Sequence, residues 1–495
     1  MDYHISDLRK YTRCPRSYLL EKADPEGRGV FQSYVRLDDE VSELAAEVLG
    51  ITECFMGKRN DDPSLAMEAL NTYEWLCKAR FSYGGLRIKV PFLHRVEYGF
   101  ELYFLFLGLY PKDLDLQYYC DTVWVLEQLG IRISNMRIIH LNADYVRGET
   151  LDVQKLFVIS DTFYNSKNHP GKPLEETIRS NISDPTDLMA EMDRARELPI
   201  PDPVRSSSCS GRQMCRYLER CFLADREVPD NHISTLVGGT ERFAMAEEGR
   251  QYLREADVSR LEGSPMQYAQ VMADRNGGLF ADRASLNGWM EDVTYPITFL
   301  DFEWERFAIP PYQGMRPFDV LLFEYSIHIL AADGTITHTL FLSVHDDRRE
   351  LAEQLIRDIP EEGTVIAYNA EGAEKLRINE LIAQFPEYTA QLKSMNDRMK
   401  DLQIPFTSGF VYDVRMRGGW TLKRLMSMMD DPGYQDLDIR QGMDAVFRWR
   451  ELDRDTEGID REQIINELKA YCGMDSYATL VVFQWLQSIL NESFS

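Results

Sequence analysis

The clearest patterning of apolar and polar positions lies in the C-terminal third, residues 295 to 485. After Pro296 the chain is largely apolar from Ile297 to Leu300, which predicts a buried strand running into Asp301 and Glu303. Val320 to Leu330 and Thr335 to Ser343 flank the turn residues Ala331 to Gly334 and predict an antiparallel hairpin. Leu351, Leu355 and Ile356 fit an amphipathic helix, Thr364 to Tyr368 a strand, and Ala373 to Gln384 a helix. Ile464, Ile465, Leu468, Cys472, Ala478, Val481 and Val482 recur at helical spacing and predict a helix within Glu462 to Leu490.

The N-terminal half is less regular. Ile5 to Leu19 reads as a capped helix that ends in the Cys14-Pro15 turn. Leu86 to Leu93 and Phe100 to Gly108 are strand candidates, and Tyr118 to Leu129 is a helix. Leu151 to Asp161 reads as a final strand, His169 to Gly171 as a loop, and Leu188 to Leu198 as a polar helix. Residues 222 to 294 read as a connector, with a short element near Ile233, a helix from Met245 to Leu253 and a small helical hairpin from Glu255 to Gly263. Such a hairpin is a spacer, or it grips a phosphate backbone at a helix N-terminus.

A chain of 495 residues with 44% hydrophobic content has room for two or three globular domains. We expect an α/β protein of three parts, 1–225, 226–292 and 293–495. The longest apolar run, Leu102 to Tyr110, is far too short to span a bilayer, and the N-terminus lacks a signal peptide pattern. A cytoplasmic protein without membrane contact is expected, so its eight cysteines are not read as a disulfide framework. The net charge of −26 opposes broad binding to a polyanion. A nucleic-acid substrate would therefore enter a local basic track, for which Arg415, Arg417, Lys423 and Arg424 near Trp420 are candidates; the alternative is that they are solvated loop charges.

The candidate chemistry is acidic. Residues two apart in a strand face one side, so Asp301 and Glu303 point together. Two carboxylates on a core strand repel unless a cation lies between them. Residues four apart share a helix face, which stacks Tyr471 and Asp475 one turn apart. Between them in sequence, Asn369 and Glu374 follow the strand 364–368, with Glu371 as an alternative acid. Hard divalent cations take oxygen ligands, and paired metals suit in-line displacement at phosphorus. No Walker loop, dinucleotide fingerprint, HExxH motif or Ser/His/Asp set is present.

At Phe299-Leu300-Asp301-Phe302-Glu303, Ala308 to Tyr312, Tyr368-Asn369, Asp401-Leu402 and Tyr471-Cys472, the chain resembles the DEDD exonucleases with Tyr-x-x-x-Asp as third motif. More closely, it resembles an uncharacterised bacterial family that joins a RecB-like N-terminal region to such a domain. The resemblance implies a ribonuclease H-like C-terminal domain acting as a metal-dependent 3′–5′ exonuclease on single-stranded DNA or RNA. It implies that Asp301, Glu303, Glu374 and Asp475 hold two Mg²⁺ or Mn²⁺ ions and that Tyr471 orients the attacking water. The second motif departs from the family pattern, because Glu374 stands for the usual Asp and Ala373 for the usual aromatic residue. Tyr312 is a candidate for stacking a base, Arg316 for binding phosphate, and Asn369, Lys423 and Arg424 for contacting nucleic acid. Asp401 reads as structural, as do His328, His338 and His345.

Cys14, Cys209, Cys215 and Cys221 form one early and three clustered late cysteines. That layout resembles iron–sulfur RecB-like nucleases of the PD-(D/E)XK type, which implies a [4Fe–4S] cluster, or alternatively a Cys₄ zinc site. Cys54, Cys77, Cys120 and Cys472 read as ordinary core residues. The resemblance places this domain's own acidic site between Arg80 and Tyr145. There Val90-Pro91 stands where an Asp is expected, and the apolar run Phe104 to Leu107 where Glu-x-Lys is expected. A site without carboxylates does not hold Mg²⁺. The N-terminal domain is thus expected to be a degenerate restriction-endonuclease-like fold, serving as a clamp, a protein-docking surface or a dimerisation unit. A shifted alignment leaves Glu97, Glu101, Lys112 and Asp113 as a second active set. The competing reading of the whole chain is a nucleic-acid-binding or complex-assembly protein with both nuclease folds retired.

Overall fold

The computed structural model describes all residues except 1, 25–32, 210–214, 224–225, 240, 262, 430–432, 440, 455 and 492–495. The protein is mixed α/β and falls into two compact units. The first comprises Met1–Val204 and Phe307–Asp319, and the second Arg205–Arg306 and Val320–Ser495. The stretch 226–292, expected to be a separate connector, is part of the second unit.

The first unit is built on a seven-stranded sheet. Its strands are β1 (Tyr3–His4), β2 (Phe55–Met56), β3 (Trp75–Tyr83), β4 (Leu86–Val96), β5 (Gly99–Phe106), β6 (Ile133–Leu141) and β7 (Phe157–Ser160). The order is β2-β3-β4-β5-β6-β7, with β1 paired in parallel to β4. Gly84 and Gly85 take positive φ in the tight β3–β4 turn, a conformation that glycine adopts without cost. The helix Leu116–Gln128 carries the chain from β5 to the parallel β6 and buries Val123, Val125 and Leu126. The helix Ile5–Arg13 stops at Cys14, which is extended, and Pro15 opens the next helix, Pro15–Ala23. Cys14 Sγ accepts a hydrogen bond from the Ser17 N–H at 3.4 Å, as a cap. The expected strand 151–161 is instead a short helix, Val153–Leu156, followed by β7, because the Asp152 side chain caps the turn. The expected loop at 169–171 overlaps β9 (Pro170–Pro173), which pairs with β8 (Thr162–Tyr164).

The second unit holds a two-stranded sheet of β10 (Leu279–Ala281) with β16 (Val411–Asp413), and a five-stranded sheet. The larger sheet contains β11 (Ile297–Arg306), β12 (Val320–Leu330), β13 (Ile336–Leu342), β14 (Val365–Ala367) and β15 (Met399–Asp401). Its order is β13-β12-β11-β14-β15; β11, β12 and β13 are antiparallel, and β14 and β15 run parallel to β11. On one face, Leu300, Phe302, Leu322 and Tyr325 pack with Leu351 and Leu355 of the helix Arg348–Asp358 and with Ile378 and Leu381 of Glu374–Gln384. On the other, Ile297 and Phe299 pack with Leu480 and Phe483 of the C-terminal helix Arg461–Asn491.

The 222–294 stretch differs from its expected pattern. The helix lies at Glu241–Glu247, and Leu253–Glu255 and Val258–Arg260 are single 3₁₀ turns rather than a helical hairpin. Two helices follow at Pro265–Arg275 and Arg283–Glu291. The first is masked in the pattern because it buries polar residues. Gln270 is fully buried, donating to Thr235 O at 2.9 Å and accepting from the Val237 N–H at 2.7 Å. Among the described residues, no helix is long and apolar enough to cross a membrane.

Candidate acidic metal site

Strand alternation sends Asp301, Glu303 and Glu305 of β11 to the side opposite Leu300, Phe302 and Trp304. The C-terminal helix lies on that side, with Phe483 against Phe299 at 5.4 Å between ring centroids. One turn separates Tyr471 from Asp475, and the helix brings both near Asp301 and Glu303 of β11. Carboxylate oxygens of Asp301, Glu303 and Asp475 all lie within 4.8 Å of one another, close enough to ligate one ion. Among the described residues, this is the group of metal-ligating side chains that converges.

The electrostatics are those of a site short of positive charge. Burial, then the charges of Asp475, Glu303 and Glu374, pushes the Asp301 carboxyl well above the usual carboxylate range. Burial and Asp475 do the same to Glu303. Asp475 is raised to about 6 by burial, opposed by the Tyr434 hydroxyl, the Lys423 charge and the Tyr471 hydroxyl. The Tyr434 hydroxyl donates to Asp475 Oδ1. Lys423 Nζ sits 5.2 Å from the ring centroids of both Tyr434 and Tyr471. Cys472, expected to be an ordinary core residue, places its Sγ 3.6 Å from Asp301 Oδ2.

Glu374 opens the helix Glu374–Gln384 and is 3% exposed. The turn before it is built around Asp401. That carboxylate accepts the Asn369 N–H at 3.0 Å, the Gln403 N–H at 2.8 Å and the Glu371 N–H at 3.4 Å. Asn369 there takes a left-handed φ of 63°. Glu374 Oε2 is buried without a hydrogen-bond partner, and burial raises its carboxyl to about 8. Its charge is felt at Asp301 and Glu303, yet it stands outside the 4.8 Å group. The alternative acid, Glu371, is exposed and paired with Lys375.

The remaining candidates divide. Arg424 lines a cavity of about 390 Å³ with Arg216, Arg242 and Arg417. Arg415 is bound instead to Asp413 at 2.6 Å. Tyr312 and Arg316 belong to the first unit, where the Arg316 N–H donates to Asp319 at 2.7 Å and the neighbouring Ala308 and Ile309 are buried in its core. None of the eight cysteines is in a disulfide; Cys14 belongs to the first unit and Cys209, Cys215 and Cys221 to the second. Residues 210–214, within that cysteine run, lie outside the described residues. In the first unit Glu97 is exposed, Glu101 accepts from Tyr103 at 2.9 Å and Asp113 is paired with Lys172 at 2.7 Å. His328 and His338 stack at 4.2 Å, with His328 Nδ1 2.8 Å from the Ser476 hydroxyl.

Tyr434 and Glu324 escaped sequence reasoning. Tyr434 lies in a short 3₁₀ turn without periodicity, so no local signal points to it. Glu324 is the one acidic residue in the largely apolar strand Val320–Leu330, and that is the signal that marks it.

Residues 298–421 match the model of a domain of unknown function, DUF2779. The matched span contains Asp301, Glu303, Asn369 and Glu374 and ends before Lys423, Tyr471 and Asp475. No curated protein and no solved structure matches the chain.

Proposed function

We propose that the second unit is a metal-dependent 3′–5′ exonuclease acting on single-stranded DNA or RNA. The observation that carries this reading is the convergence of Asp301, Glu303 and Asp475 within 4.8 Å. The donor set fits hard divalent cations, because it is all oxygen, carries excess negative charge, and leaves Glu374 Oε2 buried without a partner. The sheet order β13-β12-β11-β14-β15 agrees with a ribonuclease H-like fold.

Asp301, Glu303 and Asp475 would hold Mg²⁺ or Mn²⁺, with Glu374 as the fourth acid. Bound ions of this kind supply a more acidic water and neutralise charge on the leaving oxygen. Tyr471 orients the attacking water through its hydroxyl, and Lys423, between Tyr434 and Tyr471, offsets negative charge at the site. The arginine-lined cavity of the same unit suits a phosphate backbone, and it supplies the local positive charge that the chain as a whole lacks. We read the first unit as a RecB-like fold; among its described residues no group of metal-ligating side chains converges. Cys209, Cys215 and Cys221 of the second unit would supply three thiolates to a [4Fe–4S] cluster or to zinc; a brown purified protein indicates the cluster and a colourless one with bound zinc the alternative.

A second reading, a binding or assembly protein with a retired site, is favoured by two observations. Glu374 stands outside the convergent group, and Tyr434 occupies Asp475. The deciding experiment is digestion of end-labelled single-stranded DNA and RNA with Mn²⁺, comparing wild type with the double variant Asp301→Ala, Glu303→Ala. Stepwise loss from the 3′ end that disappears in the variant is expected. Absence of cleavage, or cleavage that survives the variant, leaves the second reading.

A further inference from the structure

Glu324, like Glu374, stands outside the 4.8 Å group of Asp301, Glu303 and Asp475. It lies in β12, directly across the ladder from Glu303. Opposed residues of antiparallel strands share a face and hold their side chains close, so like charges there repel. A bulge creates the pair. The register passes from Glu303–Glu324 to Trp304–Leu322, leaving Phe323 as the extra residue. Leu322 and Tyr325 pack in the apolar core beneath the sheet, whereas Phe323 stacks on Trp449 of the helix Gly442–Asp453 at 4.8 Å. Strict alternation from Leu322 would send Glu324 into that apolar core. The extra residue turns it instead to the side of Glu303, on which its charge acts, and of Asp475, whose charge acts on it.

Glu324 is 0% exposed, and neither of its carboxylate oxygens has a hydrogen-bond partner. Cys472, on the C-terminal helix, is its polarisable neighbour, and Lys469 on the exposed side of that helix is the cation that acts on it. A buried carboxylate without donors is strongly disfavoured. A protonated carboxyl would need an acceptor for its O–H, and the described residues offer none within hydrogen-bond reach. A hard cation satisfies both oxygens at once.

We infer that Glu324 is a fifth carboxylate of the acidic site and that, together with Glu303, it takes part in holding a divalent cation of the Mg²⁺/Mn²⁺ class. The inference rests on the metal-site reading above and adds to it a ligand from a second strand.

The test is titration of the full chain with Mn²⁺, by calorimetry and by the electron paramagnetic resonance of free Mn²⁺, for wild type, E324Q and E324D. Thermal melts in EDTA run alongside. Wild type is expected to bind Mn²⁺, and E324Q to bind it about 10–100-fold more weakly or to hold one ion fewer. In EDTA, E324Q is expected to melt higher than wild type, since the amide removes a buried charge. A merely structural glutamate does not give these opposite signs. E324D, which keeps the charge one methylene short, is expected to fall between the two and replaces E324Q if the amide variant does not fold. Mn²⁺ binding by E324Q or E324D equal to wild type overturns the inference and leaves the nuclease reading standing. Failure of wild type to bind Mn²⁺ overturns both.

Discussion

At the scale of single residues, the site is defined by carboxyl groups drawn away from water, Glu303 and Glu374 buried and Asp301 and Asp475 partly so. Tyr434 compensates one of them by donating to Asp475 Oδ1. A hydrogen bond to a charged group is worth about 1.5–3 kcal/mol, and a cation must compete with it. Tyr434→Phe is therefore expected to tighten Mn²⁺ binding about tenfold. Calorimetry checks this; weaker binding in the variant would mean that Tyr434 supports the bound state. Asp121, in the first unit, is the same problem without a metal. It is fully buried, accepts one hydrogen bond from Gln117 Nε2, and its Oδ2 has no partner. Burial raises its carboxyl to about 6 from an ordinary value of 3.8. The folded state thus holds this proton more tightly than the unfolded chain does. The stabilisation is fully present below pH of about 4 and is lost as pH rises to about 6. Asp121→Asn is expected to remove up to roughly 3 kcal/mol of that pH dependence. Melting curves between pH 4 and 7 for the two proteins should diverge on the acid side and run parallel above it. Neither residue was legible beforehand, because a distant partner, as for Tyr434, and an orphaned oxygen, as for Asp121, are properties of surroundings and not of the residue type.

At the scale of elements, local pattern was a good guide where one face of a strand or helix is uniformly apolar. β12 occupies the residues that its apolar run marks, and the C-terminal helix covers the span predicted by its period. The pattern failed where polar residues are buried, as in Pro265–Arg275 with Gln267 and Gln270, and where a capping side chain converts strand-like residues to a turn, as at Asp152. The bulge at Phe323 is also invisible to alternation, since it appears only when β12 is laid against β11. Trp449 secures that bulge. It is fully buried, stacks on Phe323, and donates its indole N–H to Ser343 O at 2.8 Å. Trp449→Ala is expected to destabilise the second unit by about 3–5 kcal/mol. Denaturant unfolding followed by circular dichroism reads that loss. A change under about 1 kcal/mol would show that the pocket refills and the bulge does not depend on it.

For the whole molecule, the net charge of −26 sets the terms on which any polyanion approaches. Under the proposed function, divalent ions at the acidic site and the arginines around the 390 Å³ cavity would be the counterweights within the second unit. Single-stranded oligonucleotide is accordingly expected to bind at least about tenfold more weakly in EDTA than in Ca²⁺ at matched ionic strength, with affinity falling as salt rises. Fluorescence anisotropy measures both effects; equal affinity in EDTA and Ca²⁺ would separate nucleic-acid binding from the acidic site. The sequence by itself determined the strand carrying Asp301 and Glu303, the helix carrying Tyr471 and Asp475, and the shared face within each pair. Those follow from periods of two and of four residues, which are local. Tertiary packing decided that the two pairs meet, that Glu374 stands outside the close group, that Tyr434 and Cys472 contact it, and that Glu324 lies across the ladder from Glu303. It also decided that Tyr312 and Arg316 belong to the first unit. The physical reason is that a period orients side chains about their own axis only. Which axes lie together depends on how distant apolar faces are buried, and no local spacing contains that information.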